Sequence, residues 1–392
     1  MWFGKVVIIT PDRPCILHVF PSFSAGGAQA RLVTLANAFG DAYRHQIVAL
    51  DGDTSFGTRF DVGVDVDFLD VTLPRRTSLK KLRLIYQVLR RQKPDLLVTS
   101  NWGSIDWALA NHWPRLTHIH IEDGFGPHEQ DRQIPRRIIT RRLVLRRAKL
   151  VLPSRILLSL AGDVWRLPRP HLHYIPNGID HQRFTPAVSS PSGLPIIGCV
   201  AALRPEKNLA RLLYAAARLK ANYKFSLVIA GDGPERGYLE GLSKSLGVNA
   251  QFLGNVADPA PLYRSFTIFV LSSDTEQMPL SVLEAMSAGL PIAATLVGDI
   301  SAMVAPENHE FLTLRDDIAL AEAIGRLLER PKRARSIGIA NRQRVDAEFG
   351  QSAMIQSWRS VIDGCLQGQR SPVDGKIAGT IVDQIRNGQR SI

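Results

Sequence analysis

The sequence predicts an α/β protein made of two nucleotide-type domains with a cleft between them. Three observations carry that expectation. The chain has 392 residues, about twice a typical single domain. Short β-branched runs alternate with helix-period segments in both halves, the pattern of parallel sheets flanked by helices. Charge is divided unevenly: of the net +12, Met1 to Thr185 carries +10 and the remainder +2. Near that division VSSPSGLP, Val188 to Pro195, reads as a Pro/Ser/Gly linker. The expected organisation is an N-terminal domain over 1–185, a linker over 186–195, a C-terminal domain over 196–350, and a helix and tail over 351–392.

The elements follow in order. CILHVF (Cys15 to Phe20) reads as the first strand, PSFSAGGAQ as the turn after it, and ARLVTLANAF as a helix with Leu32, Leu35, Ala36 and Phe39 on one face. HQIVAL, DLLVTS, HIHIE and LVLPS read as later strands. The second half repeats the pattern with the strand PIIGCVAAL, a helix over Leu209 to Leu219, and the strands FSLVIAG, QFLG and IFVLSS. The tail after Gly364 has weak periodicity, and its reading stays open between a short helix over Ile377 to Ile385 and a loose end.

Composition excludes several classes. With 45% apolar residues the chain is neither disordered nor collagen-like, and no 20–50-residue period marks a solenoid. Cys15, Cys199 and Cys365 lie far apart without metal spacing, against a disulfide framework or a zinc site. The apolar run Val6 to Ile9 is short for a signal-peptide core, and nothing approaches the 18 apolar residues of a membrane span. The expectation is a cytosolic chain in a reducing compartment, its pI of about 9.9 favouring anionic partners.

Four segments carry candidate chemistry. DTEQMPLSVLEAMSAGLPIAAT (Asp274 to Thr295) follows a strand and opens a helix, with Pro279 placed like a first-turn proline and Gly289 like a C-cap. Amides near Gln277, Met278, Pro279 and Leu280 then form an anion site at a helix N-terminus. Glu276 and Glu284 stand eight residues apart, roughly 12 Å of helical rise, a spacing that suits a hydroxyl-bearing ligand longer than one phosphate; two solvated glutamates are the competing reading. In VAALRPEKN (Val200 to Asn208) Arg204 and Lys207 sit near a helix mouth, where they can pair with a diphosphate or be merely solvated. Gly231 and Gly233 in AGDGPERGYLE admit a ligand close to the backbone or simply form a tight turn. Gly26 and Gly27 in FSAGGAQ lie between the first strand and helix, where α/β sheets bind ligands. The pattern is not GxGxxG, which argues against a nicotinamide cofactor.

Together these segments resemble glycosyltransferase family 4, the retaining sugar-nucleotide transferases of the GT-B fold, whose two Rossmann-like domains face across a cleft. FPSFSAGGAQ, YIPNGIDHQRF, VAALRPEKN, LVIAGDGPE, FLGNV and EQMPLSVLEAMSAGLPIAATLVGDI occur in the family's order and span Ile16 to about Phe349. The resemblance implies a C-terminal helix that can cross back to the N-terminal domain. It implies that Gly26 and Gly27 admit the donor pyrophosphate and that Lys207 neutralises the donor phosphates. Glu276 would hold the transferred sugar and Glu284 the ribose hydroxyls. In YIPNGID the turn of Asn177, Gly178 and Asp180 is read as structural. Two departures stand out: Ala202 occupies the place of a family arginine, for which Arg204 is the substitute, and Asp123 aligns with a family histidine on the acceptor side, with His120 and Glu122 as alternatives.

The implied reaction moves a hexosyl group from a nucleoside-diphosphate sugar to a glycan or lipid-linked acceptor in cell-surface polysaccharide or glycolipid synthesis. Lys207, Arg204 and the Gln277–Leu280 amides would supply charge stabilisation; no metal and no bound cofactor is expected. The alternative is a catalytically silent sugar-nucleotide sensor. Two basic segments, Arg75 to Lys93 and Arg132 to Lys149, each carry eight Lys or Arg and no acid. Leu82, Ile85, Leu89, Ile134, Ile138 and Leu145 at helical spacing are expected to pack inward. Arg136, Arg137, Arg141, Arg142, Arg146 and Arg147 are then expected to face an anionic membrane surface, placing the protein peripherally on the inner membrane face, or to be solvated. The scarcity of aromatics among them argues against nucleic acid.

Overall fold

The computed structural model describes residues 13–125, 129, 133–187 and 193–367. The Val6–Ile9 run, residues 188–192 of the expected linker, residues 126–128 and 130–132, and the Ile377–Ile385 segment lie outside the described residues. The first sheet comprises β1 (Cys15–Phe20), β2 (Arg44–Ala49), β3 (Asp65–Phe68), β4 (Leu96–Ser100), β5 (His118–Ile121), β6 (Lys149–Leu152) and β7 (Leu172–Tyr174), in the order β3-β2-β1-β4-β5-β6-β7. The second comprises β8 (Ile196–Val200), β9 (Ser226–Ala230), β10 (Ala250–Phe252), β11 (Ile268–Leu271), β12 (Ile292–Thr295) and β13 (Leu312–Thr313), in the order β10-β9-β8-β11-β12-β13. Adjacent pairs such as β1–β2, β1–β4, β8–β9 and β8–β11 run parallel, so each crossover needs a covering element.

Those covering elements are α1 (Gly27–Phe39), α2 (Leu79–Gln92), α3 (Ile105–Ala110), α4 (Pro135–Val144), α5 (Arg155–Ser159), α6 (Leu209–Leu219), α7 (Arg236–Ser245), α8 (Ala260–Ser265), α9 (Leu280–Ser287), α10 (Ile300–Met303), α11 (Asp317–Glu329), α12 (Pro331–Glu348) and α13 (Gln351–Gln367). The two strand faces bury different partners. On β2, Val48 joins Leu17, Val19, Ile85 and Leu89, whereas Ile47 joins Phe20, Leu32 and Val33. On β11, Ile268 and Val270 pack with Leu212 and Leu213 of α6, while Phe269 and Leu271 pack with Val282, Leu283 and Met286 of α9. Each such side chain contributes about 1.5–3 kcal/mol. Burial of Ile85 and Leu89 meets the expectation for the first basic segment.

Contacts divide the described residues into two units. One holds 13–121, 147–149 and 358–367; the other holds 122–146 and 150–357 as far as they are described. α13 enters the first unit at Trp358. There Arg31 of α1 lies 5.7 Å from the Trp358 ring, and the Tyr43 hydroxyl donates to Asp363 at 2.5 Å. The C-terminal helix thus returns to the elements of the first sheet. Among the described residues no helix is long and apolar enough to cross a membrane.

Each sheet reverses its strand order beside its own first strand, between β1 and β4 and between β8 and β11. Ligands of parallel α/β sheets bind beyond the strand C-termini at such switch points. Gly26 follows β1, Lys207 follows β8 and Glu276 follows β11.

The first unit also buries neutral histidines. His18 Nε2 and His45 Nδ1 stand 3.0 Å apart, and Thr99 Oγ1 lies 2.7 Å from His118 Nε2. Burial drives His18 well below its ordinary 6.5, His45 to about 4 and His118 to about 3. A lowered native pKa means the unfolded chain takes protons that the folded chain refuses. Stability should therefore fall as pH drops from 6.5 to 5, by up to about 1.4 kcal/mol per pH unit for each histidine. Urea unfolding across that window measures the slope, and His118→Asn should remove about a third of it.

Candidate active site

Beyond β8 the chain makes a 3-10 turn over Pro205–Lys207 and passes through Asn208 in the left-handed region, φ 41°. The Asn208 side chain caps α6 by accepting from Arg211 N at 3.2 Å and donates to Asp274. Arg211 completes the clamp: its guanidinium donates to Asp274 Oδ1 at 2.7 Å and to the Ser272 carbonyl at 2.5 Å. Ser272 Oγ donates to the Lys207 carbonyl at 3.1 Å, and Asp274 N to the Glu206 carbonyl at 2.9 Å. Two loops from neighbouring strands are thereby tied together. Lys207 Nζ then meets Glu276 Oε1 at 2.5 Å, and Ser273 Oγ donates to the same oxygen at 2.7 Å.

The pair is largely enclosed, with 24% of the Lys207 side chain and 9% of that of Glu276 exposed. Beneath it Cys199 is fully buried, and its thiol is pushed up to about 12 by desolvation, with Lys207 pulling it down and Glu276 pushing it up.

The Glu276–Leu280 loop is held by its carbonyls. Asp299 N donates to Gln277 O at 2.9 Å, and the Asn177 amide donates to Met278 O at 2.8 Å. Pro279 is the N-cap of α9 rather than a first-turn residue. Because ring closure fixes its φ near the β and turn regions alike, sequence spacing alone places it only to within one position. Among the described residues the amides of Gln277 and Met278 find no acceptor, nor do those of Leu280 and Ser281 at the start of α9, while Val282 N donates to Pro279 O at 3.2 Å. Glu284, one face along α9, accepts from the buried Tyr263 hydroxyl at 2.6 Å. Burial raises the Glu284 carboxyl above its ordinary value, opposed by Tyr263 and Arg183.

The remaining candidates fall into place around this core or away from it. Arg204 is exposed at the N-cap of the 3-10 turn, and its N–H donates to the carbonyl of Ala202, the residue standing where the family arginine was expected. Gly231 has φ +130°, and a Cβ there would lie 1.9 Å from Ala201 O; one on Gly233 would lie 2.5 Å from Leu203 O. Both glycines thus let the β9 loop close against the β8 loop that leads to Lys207. Gly26 is extended at the N-cap of α1, with Gly27 the first helical residue, in the first unit.

Of the three acceptor-side candidates, His120 is fully buried with Nδ1 2.8 Å from Thr99 Oγ1. Glu122 is fully buried against Arg141 Nε at 3.2 Å. Asp123 is the partly exposed one, and a Cβ on the adjoining Gly124 would lie 3.2 Å from Gln277 Cγ. In the turn read as structural, Asn177 donates to Met278 O, a Cβ on Gly178 would lie 2.9 Å from Gly350 O and Met354 Cβ, and Asp180 accepts from Gln182 N.

Arg141 is a correction to the basic-face expectation. Its guanidinium is fully buried between the carboxylates of Glu122 and Glu129 and lies 4.9 Å from the Trp165 ring. Arg137 also turns inward, to Glu129 at 2.7 Å. Burial alone would raise the Glu129 carboxyl, but hydrogen bonds from Arg141 and Arg137 hold it below its ordinary value. A buried carboxylate without these partners would be strongly destabilising. Among the described residues no three of His, Cys, Asp or Glu group to hold a metal ion.

Comparison with known proteins gives the family. The sequence model of Glycosyltransferase Family 4 matches residues 25–183, and that of Glycosyl transferases group 1 matches residues 180–344. The chain belongs to glycosyltransferase family 4. This glycosyltransferase is 27% identical over 372 residues to the EpsF protein of Bacillus subtilis strain 168, covering 86% of this chain and 91% of the relative. It is 27% identical over 214 residues, 49% of this chain and 56% of the relative, to a GDP-mannose-dependent monoacylated phosphatidylinositol monomannoside mannosyltransferase of Corynebacterium glutamicum. The solved structure of Anabaena HepE with UDP and glucose superposes with a TM-score of 0.76 at 20% identity, covering 90% of this chain and 100% of that one. That likeness establishes the two-sheet GT-B fold.

Sequence reading of the glycosyltransferase missed Asn208, Arg211 and Asp274, which fasten the Lys207 turn, and Tyr263, which holds Glu284. Nothing marks such residues in advance except Asn208 at a helix start, a common capping position. The close approach at Gly231 is directly testable. Gly231→Ala should lower the unfolding free energy by about 3 kcal/mol. In α7 a Cβ on Gly241 meets nothing within 4 Å, so Gly241→Ala should stabilise by about 0.5–1 kcal/mol; chemical denaturation compares the two.

Proposed function

We propose that this glycosyltransferase transfers a hexosyl group from a nucleoside-diphosphate sugar to a glycan or lipid-linked acceptor, with retention of configuration, in polysaccharide or glycolipid synthesis. The observation that carries the reading is the Lys207–Glu276 pair beside open helix N-terminal amides at the β8/β11 switch point. Relatives whose names specify GDP-mannose and a phosphatidylinositol mannoside, and a neighbour solved with UDP and glucose, support a sugar-nucleotide donor and a lipid-linked acceptor.

In this reading the donor diphosphate takes the amides of Gln277, Met278 and Leu280 and shares Lys207 with Glu276. A lysine ammonium has three donors, so one can stay on the Glu276 carboxylate while another reaches a phosphate oxygen. Glu276 in turn accepts from sugar hydroxyls, and Glu284 from the ribose. As the C1–O bond to the diphosphate breaks, positive charge grows on the sugar ring and negative charge on the leaving group. The acceptor oxygen bonds C1 on the face the diphosphate leaves, and its proton passes to the departing phosphate oxygen. Lys207 and the loop amides, already oriented, stabilise the leaving charge. Exposed Arg204 is the substitute for the arginine replaced by Ala202, and Asp123 is the acceptor-side carboxylate best placed to hold a hydroxyl.

The donor side is tested by thermal shift with UDP-glucose, GDP-mannose and ADP-glucose, where a ligand at 100 times its Kd stabilises by about 2.7 kcal/mol. Lys207→Ala should abolish the shift produced by the preferred donor and lower kcat by about 10²–10³; an unchanged shift would remove Lys207 from the donor site.

Peripheral membrane attachment belongs to the same proposal in a narrowed form. On α4 Arg136, Ile139, Arg142 and Leu143 form one exposed stripe, continued by Arg146 and Arg147, with Ile139 58% and Leu143 65% exposed. Basic residues interleaved with exposed apolar ones suit an anionic lipid surface. Sedimentation with vesicles containing phosphatidylglycerol should exceed that with phosphatidylcholine alone. Each of Arg136→Ser, Arg142→Ser and Arg146→Ser should cost about fivefold, or about 1 kcal/mol, whereas equal binding to both vesicles would retire the attachment.

A further inference from the structure

Asp299 follows β12 and is 4% exposed, yet no lysine or arginine side chain pairs with it among the described residues. Three polar hydrogens surround its carboxylate instead: Arg155 N at 2.5 Å, Ile156 N at 3.2 Å and Ser154 Oγ at 3.2 Å. Ser154 is the N-cap of α5, accepting from Leu157 N at 3.1 Å. Asp299 therefore satisfies amides of a helix start that is not its own, an unusual use of a buried carboxylate, because helix N-termini are normally capped from within the chain that precedes them.

The main chain of the same residue faces the other way. Asp299 N donates to Gln277 O at 2.9 Å. The preceding Gly298 has φ +56°, and a Cβ there would lie 2.2 Å from Glu276 O and 2.9 Å from Gln277 O. Three residues before Gly298, Thr295 Oγ1 donates to the Ser273 carbonyl at 2.6 Å. The segment 295–299 thus forms a floor under residues 273–277. Ser154 closes the circuit, its hydroxyl lying 3.3 Å from Gln277 Oε1 as well as 3.2 Å from Asp299.

We propose that Asp299, with Ser154, is a positioning residue for glycosyl transfer: it locks the Glu276–Gln277 loop to residues 154–156 and so fixes where the Glu276 carboxylate and the neighbouring amides point. This rests on the reading of Glu276 as the group that grips the transferred sugar. Asp299 touches no reacting atom in that reading. A carboxylate offers acceptors to both α5 amides, whereas an asparagine would turn an NH2 group toward one of them. Asp299→Asn should consequently release the lock while keeping size and shape, and Ser154→Ala should weaken it. Ser154→Thr keeps the hydroxyl and the cap.

Hydrogen exchange by mass spectrometry on the full chain reads the lock directly. In Asp299→Asn the amides of residues 276–280 should exchange at least tenfold faster, together with those of 155–156. Ser154→Ala should show a smaller change of the same pattern and Ser154→Thr none. Release of UDP from UDP-glucose and of GDP from GDP-mannose adds the kinetic readout. For a donor that is turned over, Asp299→Asn should lower kcat tenfold or more with KM within threefold, and Ser154→Thr should restore the rate lost in Ser154→Ala. Faster exchange confined to 155–156 would make Asp299 a helix cap only and overturn the proposal, as would unchanged kcat. Glu276→Gln is measured alongside: full activity in that variant sinks the reading of Glu276, whatever the exchange pattern, while an inactive Glu276→Gln beside a fully active Asp299→Asn sinks the positioning role alone.

Discussion

The ion pair between Lys207 and Glu276 at 2.5 Å is the constraint around which the C-terminal sheet's functional end is organised. Two charges this enclosed are costly to leave apart, and their attraction repays desolvation only with good geometry and further hydrogen bonds. Ser273 supplies one to Glu276, and the Arg211–Asp274–Asn208 clamp holds the two loops so that neither charge must find the other by side-chain motion. The clamp works because β8 and β11 are adjacent and parallel, so both loops leave the sheet at the same edge.

Polarity along the Glu276–Leu280 loop follows from how it is anchored. Gln277 O accepts from Asp299 N and Met278 O from the Asn177 amide; the first of these turns the Met278 N–H, which shares the Gln277 peptide plane, the other way, whereas the plane after Met278 ends in Pro279 and has no N–H. A helix start already presents unpaired amides, and this anchoring adds the Met278 amide ahead of it. In the proposed function the donor diphosphate meets donors that need no reorientation, the condition under which hydrogen bonds stabilise developing charge most strongly.

The arginine-rich α4 shows how one segment serves two ends. Arg137 and Arg141 point inward to Glu122 and Glu129, while Arg136 and Arg142 remain exposed. Arg141 stays soluble in the interior because two carboxylates and the Trp165 and Phe125 rings surround it; a guanidinium tolerates such a site better than an ammonium, being planar and weakly hydrated. That burial ties down the segment carrying Glu122 and leaves the adjoining Asp123 the partly exposed carboxylate.

Periodicity by itself determined the α/β class, the strands from CILHVF to IFVLSS and the helix over Leu209–Leu219, which the structure reproduces, because apolar spacing is a local property that burial on a sheet enforces. Spacing of Lys207, Glu276 and Glu284 around strand ends also made the candidate site legible, since loops beyond parallel strands share one edge. Short strands such as β3, β7 and β13 went unread, having too few residues to show a period. Only the tertiary structure decided that Arg141 is buried and that Asp299 reaches Ser154, because their partners lie 19 and 145 residues away in sequence. A charge's role is set by what surrounds it in space, and no pattern along the chain encodes the neighbours that folding brings from so far.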